Sequence, residues 1–500
     1  MLLDCMGTIS RHPLQQGDNY EHNPANIRVN GFIVTMTIWT PDLEPTGPRY
    51  KALANAIEHA IHRGDLAPGD RLPPQRQLAD ALGVTIGTIT RGYGDAERRG
   101  LVEGRVGSGT YVHSPSGPAA FGHVLPSESQ GTIDLSLSLP PPTPERVRHF
   151  QRALAHVNAA GDTLAELLSY QPESGMAACR QRFATWMTEA LELPVEAEEL
   201  VITQGGMHGI FISLLALLAP GERIACEELS YPGLISAVQQ LHLKTATVGL
   251  DEDGIDVAAL RRRFEQQPFK AIYVMPEHHN PTTVAMSQAR REALVAFARE
   301  KDVWLIEDGV LYMAPNKRRG TPLYRLAPER TVYLFSVAKL LGGGLRAGVL
   351  RAPSVLHGRL NAALRAQSWM PPPLMASVAC AWIEHGDADA LLDWQTAELS
   401  ARYRMALEAL NGHRIQGAEG GFYLWIHMPA GLRASQLIDE LQRQNVRVTS
   451  GEAFCVGATA APQAVRLCLS AANDRAQLAK ALEIVKAALD APEPTLWETV

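Results

Sequence analysis

An α/β fold with a small helical module ahead of it is what the sequence predicts, on three observations. Beyond residue 131, short apolar runs alternate with helical patterns: Val201–Thr203, Arg223–Cys226, Ala271–Val274, Val303–Glu307 and Val332–Ser336. That alternation means a largely parallel sheet covered by helices. Residues 48–113 instead carry short helical patterns broken by Gly and Pro, followed by two strand-like runs. Between the two parts, Ser114-Pro115-Ser116-Gly117-Pro118 opens a Pro-, Gly- and Ser-rich stretch that reads as a linker over 114–131.

In chain order, residues 1–45 are rich in His, Asn, Pro and Gly without sustained periodicity, and are expected to form a disordered tail. Met36 is an alternative start. In the module assigned to 46–113, Leu53, Ile57, Ala60 and Ile61 recur at helical spacing, and Gly64 closes that helix. Pro68-Gly69 and Pro73-Pro74 make a turn, and Gln75–Leu82 forms a short helix stopped at Gly83. A second helix runs roughly from Thr85 to Arg99. Two short strands, Leu101–Glu103 and Thr110–Val112, flank the glycine-rich 104–109. Helix, tight turn, helix, hairpin is the order of a winged helix-turn-helix. The α/β domain takes 132–500, with a smaller subdomain expected over roughly 372–490.

Composition narrows the function. Five hundred residues with 46% hydrophobic and 20% charged side chains describe an ordinary globular chain of two to four domains. The six cysteines have no paired spacing, which predicts reduced thiols in a cytoplasmic protein and no metal site. The longest apolar run, Gly209–Ala219, is too short to span a membrane, and residues 1–20 lack the pattern of a secretory leader. Net charge is −7, yet Arg49–His113 holds nine Lys/Arg against seven Asp/Glu, a local +2. The sign agrees with a nucleic-acid contact in that module.

Lys339 carries the chemistry. It is one of eight lysines against 38 arginines, and it lies in Phe335-Ser336-Val337-Ala338-Lys339-Leu340-Leu341-Gly342, an apolar and small-residue stretch. A lone amine there has a depressed pKa and can form a Schiff base; a snorkelling lysine is the alternative. Ser336 and Arg346 offer a hydroxyl and a guanidinium to a phosphate. Gly205-Gly206, after Val201–Thr203, opens a helix whose N–H groups favour an anion, unless the pair is only a turn. Asp308 ends a strand and can keep a pyridine nitrogen protonated, or simply cap a helix. Asn280 before Pro281 can bond a phenolic oxygen, or mark a turn. Tyr231 can stack on a ring or sit in the core. Arg466, inside Val465-Arg466-Leu467, can grip a carboxylate or point to solvent from an edge strand.

Their order is the specific signal. Tyr170…Gly175…Arg180, Thr203-x-Gly205, Tyr231-Pro232, Asn280-Pro281, Asp308, Ser336-x-x-Lys339, Arg346 and Arg466 resemble fold-type-I aminotransferases over nearly all of 132–490. The resemblance implies pyridoxal 5′-phosphate on Lys339, Asp308 on its ring nitrogen, and Ser336 and Arg346 on its phosphate. It also implies Tyr312 beside the cofactor, with Arg466 and Arg180 on a substrate carboxylate. Three departures stand out. Tyr312 follows Asp308 by four residues, where the family usually has a tyrosine after two or three. Ala338 replaces a common serine, and Met207 follows the Thr-x-Gly turn.

Upstream, Arg71-Leu72-Pro73-Pro74-Gln75-Arg76-Gln77-Leu78-Ala79 with Leu82-Gly83-Val84-Thr85 resembles the GntR-type winged helix, and Gly107–Val112 resembles its wing. The fusion resembles the MocR subgroup of transcriptional regulators. Thr85, Thr88 and Arg91 share one helical face that can enter a major groove. Arg71, Arg76 and Arg105 can neutralise phosphates. Ile86 stands where the family often has arginine, and Gly87, Gly92 and Gly94 each weaken the helix by about 1 kcal/mol. Two functions stay open. One is a regulator that senses an amino acid, an amine or the cofactor. As a homodimer it would bind double-stranded DNA at an operator with two half-sites. The other is an aminotransferase with an accessory DNA-binding module.

Overall fold

In the computed structural model the described residues are 25–29, 32–36, 39–43, 47–63, 65–66, 70–99, 101–105, 109–112, 131–457 and 459–490. Contacts divide the chain into two units, residues 1–114 and 115–500. Most of the expected linker, and residues 1–24 of the expected tail, lie outside the described residues.

Within that tail, Ala25–Val29 and Phe32–Met36 pair as an antiparallel hairpin. The departure has a local cause: both runs are rich in β-branched residues, which favour extended backbone. In the first unit, helices Arg49–Arg63, Gln75–Leu82 and Ile86–Arg98 are followed by strands Val102–Arg105 and Gly109–Val112. The middle helix stops where Gly83 takes a left-handed φ of 62°. Thr85 caps the next helix through its hydroxyl, which accepts from the Thr88 amide at 3.2 Å. Gly92 has a packing role: a Cβ there would stand 2.7 Å from Leu53 Cδ2, so the glycine brings the two longer helices together. Leu53, Ile57, Leu78, Ile89 and Tyr93 form the small core.

The second unit is built on a seven-stranded sheet. Its order is Leu200–Thr203, Gly348–Arg351, Thr331–Ser336, Trp304–Asp308, Ala271–Val274, Arg223–Glu227, Lys244–Val248. Gly348–Arg351 runs antiparallel to both neighbours; the others are parallel. Thr331–Ser336 is buried at every position, as expected for strands covered by helices on both faces. Because the parallel strands point one way, Thr203, Asp308 and Ser336 emerge at the same edge.

A four-stranded antiparallel sheet (Ile415–Gln416, Tyr423–His427, Ala464–Cys468, Thr449–Ser450) forms the smaller subdomain with helices Ala434–Arg443 and Arg475–Asp490. Its extent differs from 372–490. Helix Pro373–Glu384 buries Val378, Ala379 and Trp382 in the large subdomain's core. Conversely, Ile133–Asp134 pairs with Val446–Arg447 and adds Ile133 and Leu135 to the small core.

Candidate cofactor cavity and DNA-facing helix

A cavity of about 770 Å³ opens at the strand edge between the two subdomains. Thr203 ends its strand and leads into a turn where Gly205 has φ 83°, a conformation that side chains with a Cβ rarely adopt. Helix Gly206–Leu217 then begins, its free N–H groups facing the cavity. A Cβ on Gly205 would lie 3.1 Å from the Arg346 guanidinium, and one on Gly206 would lie 2.8 Å from Val310. Arg346, itself left-handed at φ 47°, donates from Nη2 to the Gln204 carbonyl at 2.8 Å. A helix N-terminus, two glycines and a guanidinium thus converge on one anion-sized cradle.

Ser336 lines the same cavity, and its hydroxyl organises the turn beyond it. It donates to the Ala347 carbonyl at 3.2 Å and accepts from the Ala338 amide at 3.2 Å. That turn, Val337–Lys339, carries the lysine into the cavity. Burial, followed by the charge of Arg466, pushes the Lys339 pKa down to about 8. Its Nζ donates to the Ser138 carbonyl.

Asp308 is buried at the end of its strand. Tyr273 donates a hydroxyl to Oδ2, and the Val310 amide donates to Oδ1 at 2.9 Å. Burial raises its pKa, while these two donors and the Lys339 cation pull it down. Tyr231 lines the cavity at the start of helix Pro232–Gln240; burial and the nearby Asp308 charge push its pKa up to about 12. The phenol therefore keeps its proton at neutral pH. Arg466 is on an inner strand of the small sheet and is buried, which excludes the edge-strand alternative. It donates to Asn280 Oδ1 at 2.8 Å and to the Ser136 carbonyl at 2.6 Å, and lies 4.8 Å from the Phe454 ring centroid. Its Nε has no hydrogen-bond partner.

Two expected residues are elsewhere. Tyr312 donates to the Leu191 carbonyl at 3.3 Å and sits under the Arg318 guanidinium at 5.2 Å. The loop after Asp308 presents Val310 and Leu311 to this cavity, while Tyr312 lines a small adjoining one of about 30 Å³ with Ser336 and Lys339. Arg180 spends its guanidinium on the Ser174 hydroxyl and the Gly175 and Ala197 carbonyls, so it pins a loop rather than facing the cavity. Tyr273 was missed, because within Ala271–Val274 it reads as one more core residue.

In the first unit, Thr85, Thr88 and Arg91 border a groove of about 280 Å³ with Arg49 and Tyr50 at the start of the first helix. The Thr85 hydroxyl is already engaged as a cap and lies 3.0 Å from that of Thr88. Ile86 is 45% exposed beside them. Arg76 and Arg71 are exposed, Arg71 pairing its backbone with Tyr111 of the wing. Arg105 ends a wing strand; its side chain lies outside the described residues. Arg49 was the other residue overlooked, its signal being a cation at a helix start.

Residues 142–485 match the family model for aminotransferase class I and II. The chain belongs to that family. Residues 49–112 match the model for bacterial regulatory proteins of the gntR family. Such a module joined to an aminotransferase-like domain is the MocR arrangement, on a fold whose family uses pyridoxal phosphate. The uncharacterized HTH-type transcriptional regulator YdeF of Bacillus subtilis is 26% identical over 92% of this chain and 99% of its own length. The HTH-type pyridoxine biosynthesis transcriptional regulator PdxR of Corynebacterium glutamicum is 30% identical over 63% of this chain and 68% of its own. In fold, an archaeal alanine:glyoxylate aminotransferase superposes with a TM-score of 0.65 at 24% identity, over 72% of this chain and 91% of that one. Among the described residues no helix is long and apolar enough to cross a membrane, and no group of His, Cys, Asp and Glu is placed to hold a metal.

Proposed function

We propose that this chain is a cytoplasmic transcription regulator that binds pyridoxal phosphate and reports an amino acid, an amine or the cofactor itself to DNA. The residues fit the cofactor. Gly205, Gly206, Ser336 and Arg346 would hold its phosphate, Asp308 its ring nitrogen, Asn280 its phenolic oxygen, Tyr231 its ring face, and Lys339 its reactive carbon. When bound, it supplies an electrophilic carbon and an electron-withdrawing ring. Arg466 would orient an effector carboxylate.

One observation carries the sensing role. Arg466 and Lys339, the two groups an amino acid must engage, donate to the Ser136 and Ser138 carbonyls. That segment directly follows the linker in sequence. A ligand that takes over these donors competes with residues 136–138, and so favours one arrangement of the chain leading to the DNA-binding module. Thr88, Arg91 and the apolar Ile86 would meet base edges, with Arg49, Arg71, Arg76 and Arg105 on phosphates. A second copy is favoured by an apolar patch in which Leu168, Tyr170 and Trp369 are 91%, 82% and 57% exposed. A homodimer would engage two half-sites.

The test is operator binding by the full chain with and without an amino-acid panel, beside a turnover assay with amino donors and keto acids. Ligand-dependent DNA affinity is expected. Sustained turnover with no DNA binding would overturn the proposal in favour of an aminotransferase, the reading that the complete set Lys339, Asp308, Asn280 and Arg466 also supports.

A further inference from the structure

The cavity holds a third guanidinium, Arg447, that the cofactor and the first carboxylate leave unused. Arg447 and Thr449 both line the cavity, while Val446 before them is buried in the core of the small subdomain. Thr449 is the register partner of Arg466, and its hydroxyl donates to the same Ser136 carbonyl at 3.0 Å. Arg447 lies two residues before Thr449, at the end of the short strand Val446–Arg447 that pairs with Ile133–Asp134. It is half-buried, and among the described residues no hydrogen bond or ion pair engages its side chain. Its register partner Asp134 spends one carboxylate oxygen on the Ser136 amide at 2.9 Å and on the Ser136 hydroxyl.

A guanidinium that lines a cavity without a partner is a ready anion receptor. Arg346 faces the phosphate cradle and Arg466 faces the cofactor's reactive end, so Arg447 is left for the far end of the ligand. We infer that the effector is an amino compound with two acidic groups, one on Arg466 and a distal carboxylate or sulfonate on Arg447. This rests on the amine-sensing reading above and specifies its ligand class: a short-chain dicarboxylic amino acid or its ω-sulfonate counterpart. Arg447 is the specificity residue.

The experiment titrates cofactor-loaded full-length protein with glutamate against glutamine, aspartate against asparagine, and 2-aminoadipate, following the visible band of the bound cofactor. The acid is expected to bind roughly tenfold or more tightly than its amide, as one charge-assisted contact implies. In Arg447→Gln that ratio should fall towards one, and Arg447→Lys should keep part of it. A wild-type protein that binds amides and acids alike overturns the second-acid assignment while leaving amine sensing intact. A ratio that persists in Arg447→Gln overturns the role of Arg447. If no amino compound perturbs the band, amine sensing itself fails, and this inference fails with it.

Discussion

The cofactor cavity and the DNA-facing helix differ in what holds their residues. Every wall of the cavity comes from a different element: strand ends supply Asp308 and Ser336, turns supply Gly205 and Lys339, and the small sheet supplies Arg466. Most are buried, and each has backbone or side-chain partners that leave one orientation open. The DNA face is one exposed helix turn whose order depends on a threonine cap and a glycine contact. A buried site built from many elements dictates its residues. An exposed face on one element tolerates replacement, as Ile86 illustrates.

The sharpest way to break this comparison is at Lys339. Lys339→Ala should abolish the borohydride-reducible visible band of the loaded protein; a band of unaltered intensity would remove the lysine from the site. The next largest effect is on pH. The native amine titrates at about 8 against an ordinary lysine value of 10.5, so between those values the unfolded chain binds the extra proton. Stability therefore rises with pH across that window, as far as Lys339 contributes. The neutral amine is the reactive form, so the rate of cofactor loading should rise about tenfold per pH unit below 8 and level off above it. Stopped-flow absorbance checks the midpoint; one near 10.5 would mean that the amine is solvated.

Gly205→Val asks whether the cradle is as constrained as its geometry implies. A β-branched residue at φ 83° against Arg346 should cost about 1–3 kcal/mol of thermal stability and weaken cofactor retention. On the exposed side, Arg91→Ala should cost about 1–3 kcal/mol of discrimination between operator and mismatched DNA, read by competition binding. Equal losses on all sequences would make Arg91 a phosphate contact instead. Smallest is Thr85→Ala, which removes the cap and should lower the stability of the first unit by about 1 kcal/mol. A calorimetric scan showing no change would mean that packing through Gly92 alone orders the helix.

How much of this was legible in sequence follows the same division. Asp308 stood out in sequence because apolar runs announce strands and a polar residue at such a run's end has few structural uses; Lys339 and Arg466 stood out as charges among apolar neighbours, and Asn280 through the proline after it. Lys244–Val248 and Gly348–Arg351 escaped notice, the first half polar at a sheet edge, the second short and glycine-led. Arg180 shows that a family's order of residues says nothing about which way a side chain turns, since its guanidinium is held by Ser174, Gly175 and Ala197. Tyr273 and Arg447 were invisible for a related reason: what each faces depends on a strand remote in sequence. In the first unit the helix limits followed from Gly83 and the Pro73-Pro74 turn. The packing use of Gly92 did not, since glycine reads as a helix weakener until its neighbour is known.

The short strand Ile133–Asp134 has one more consequence. It ties the start of the second unit to the small subdomain through its pairing with Val446–Arg447, at the cavity wall that carries Arg447. On the proposed sensing role, ligand binding and operator binding by this chain form one thermodynamic cycle. Whatever factor a ligand applies to the affinity for DNA, DNA must return to the ligand. The operator would then itself be an effector of the cavity, and a titration of ligand on DNA-bound protein would measure the same coupling from its other side.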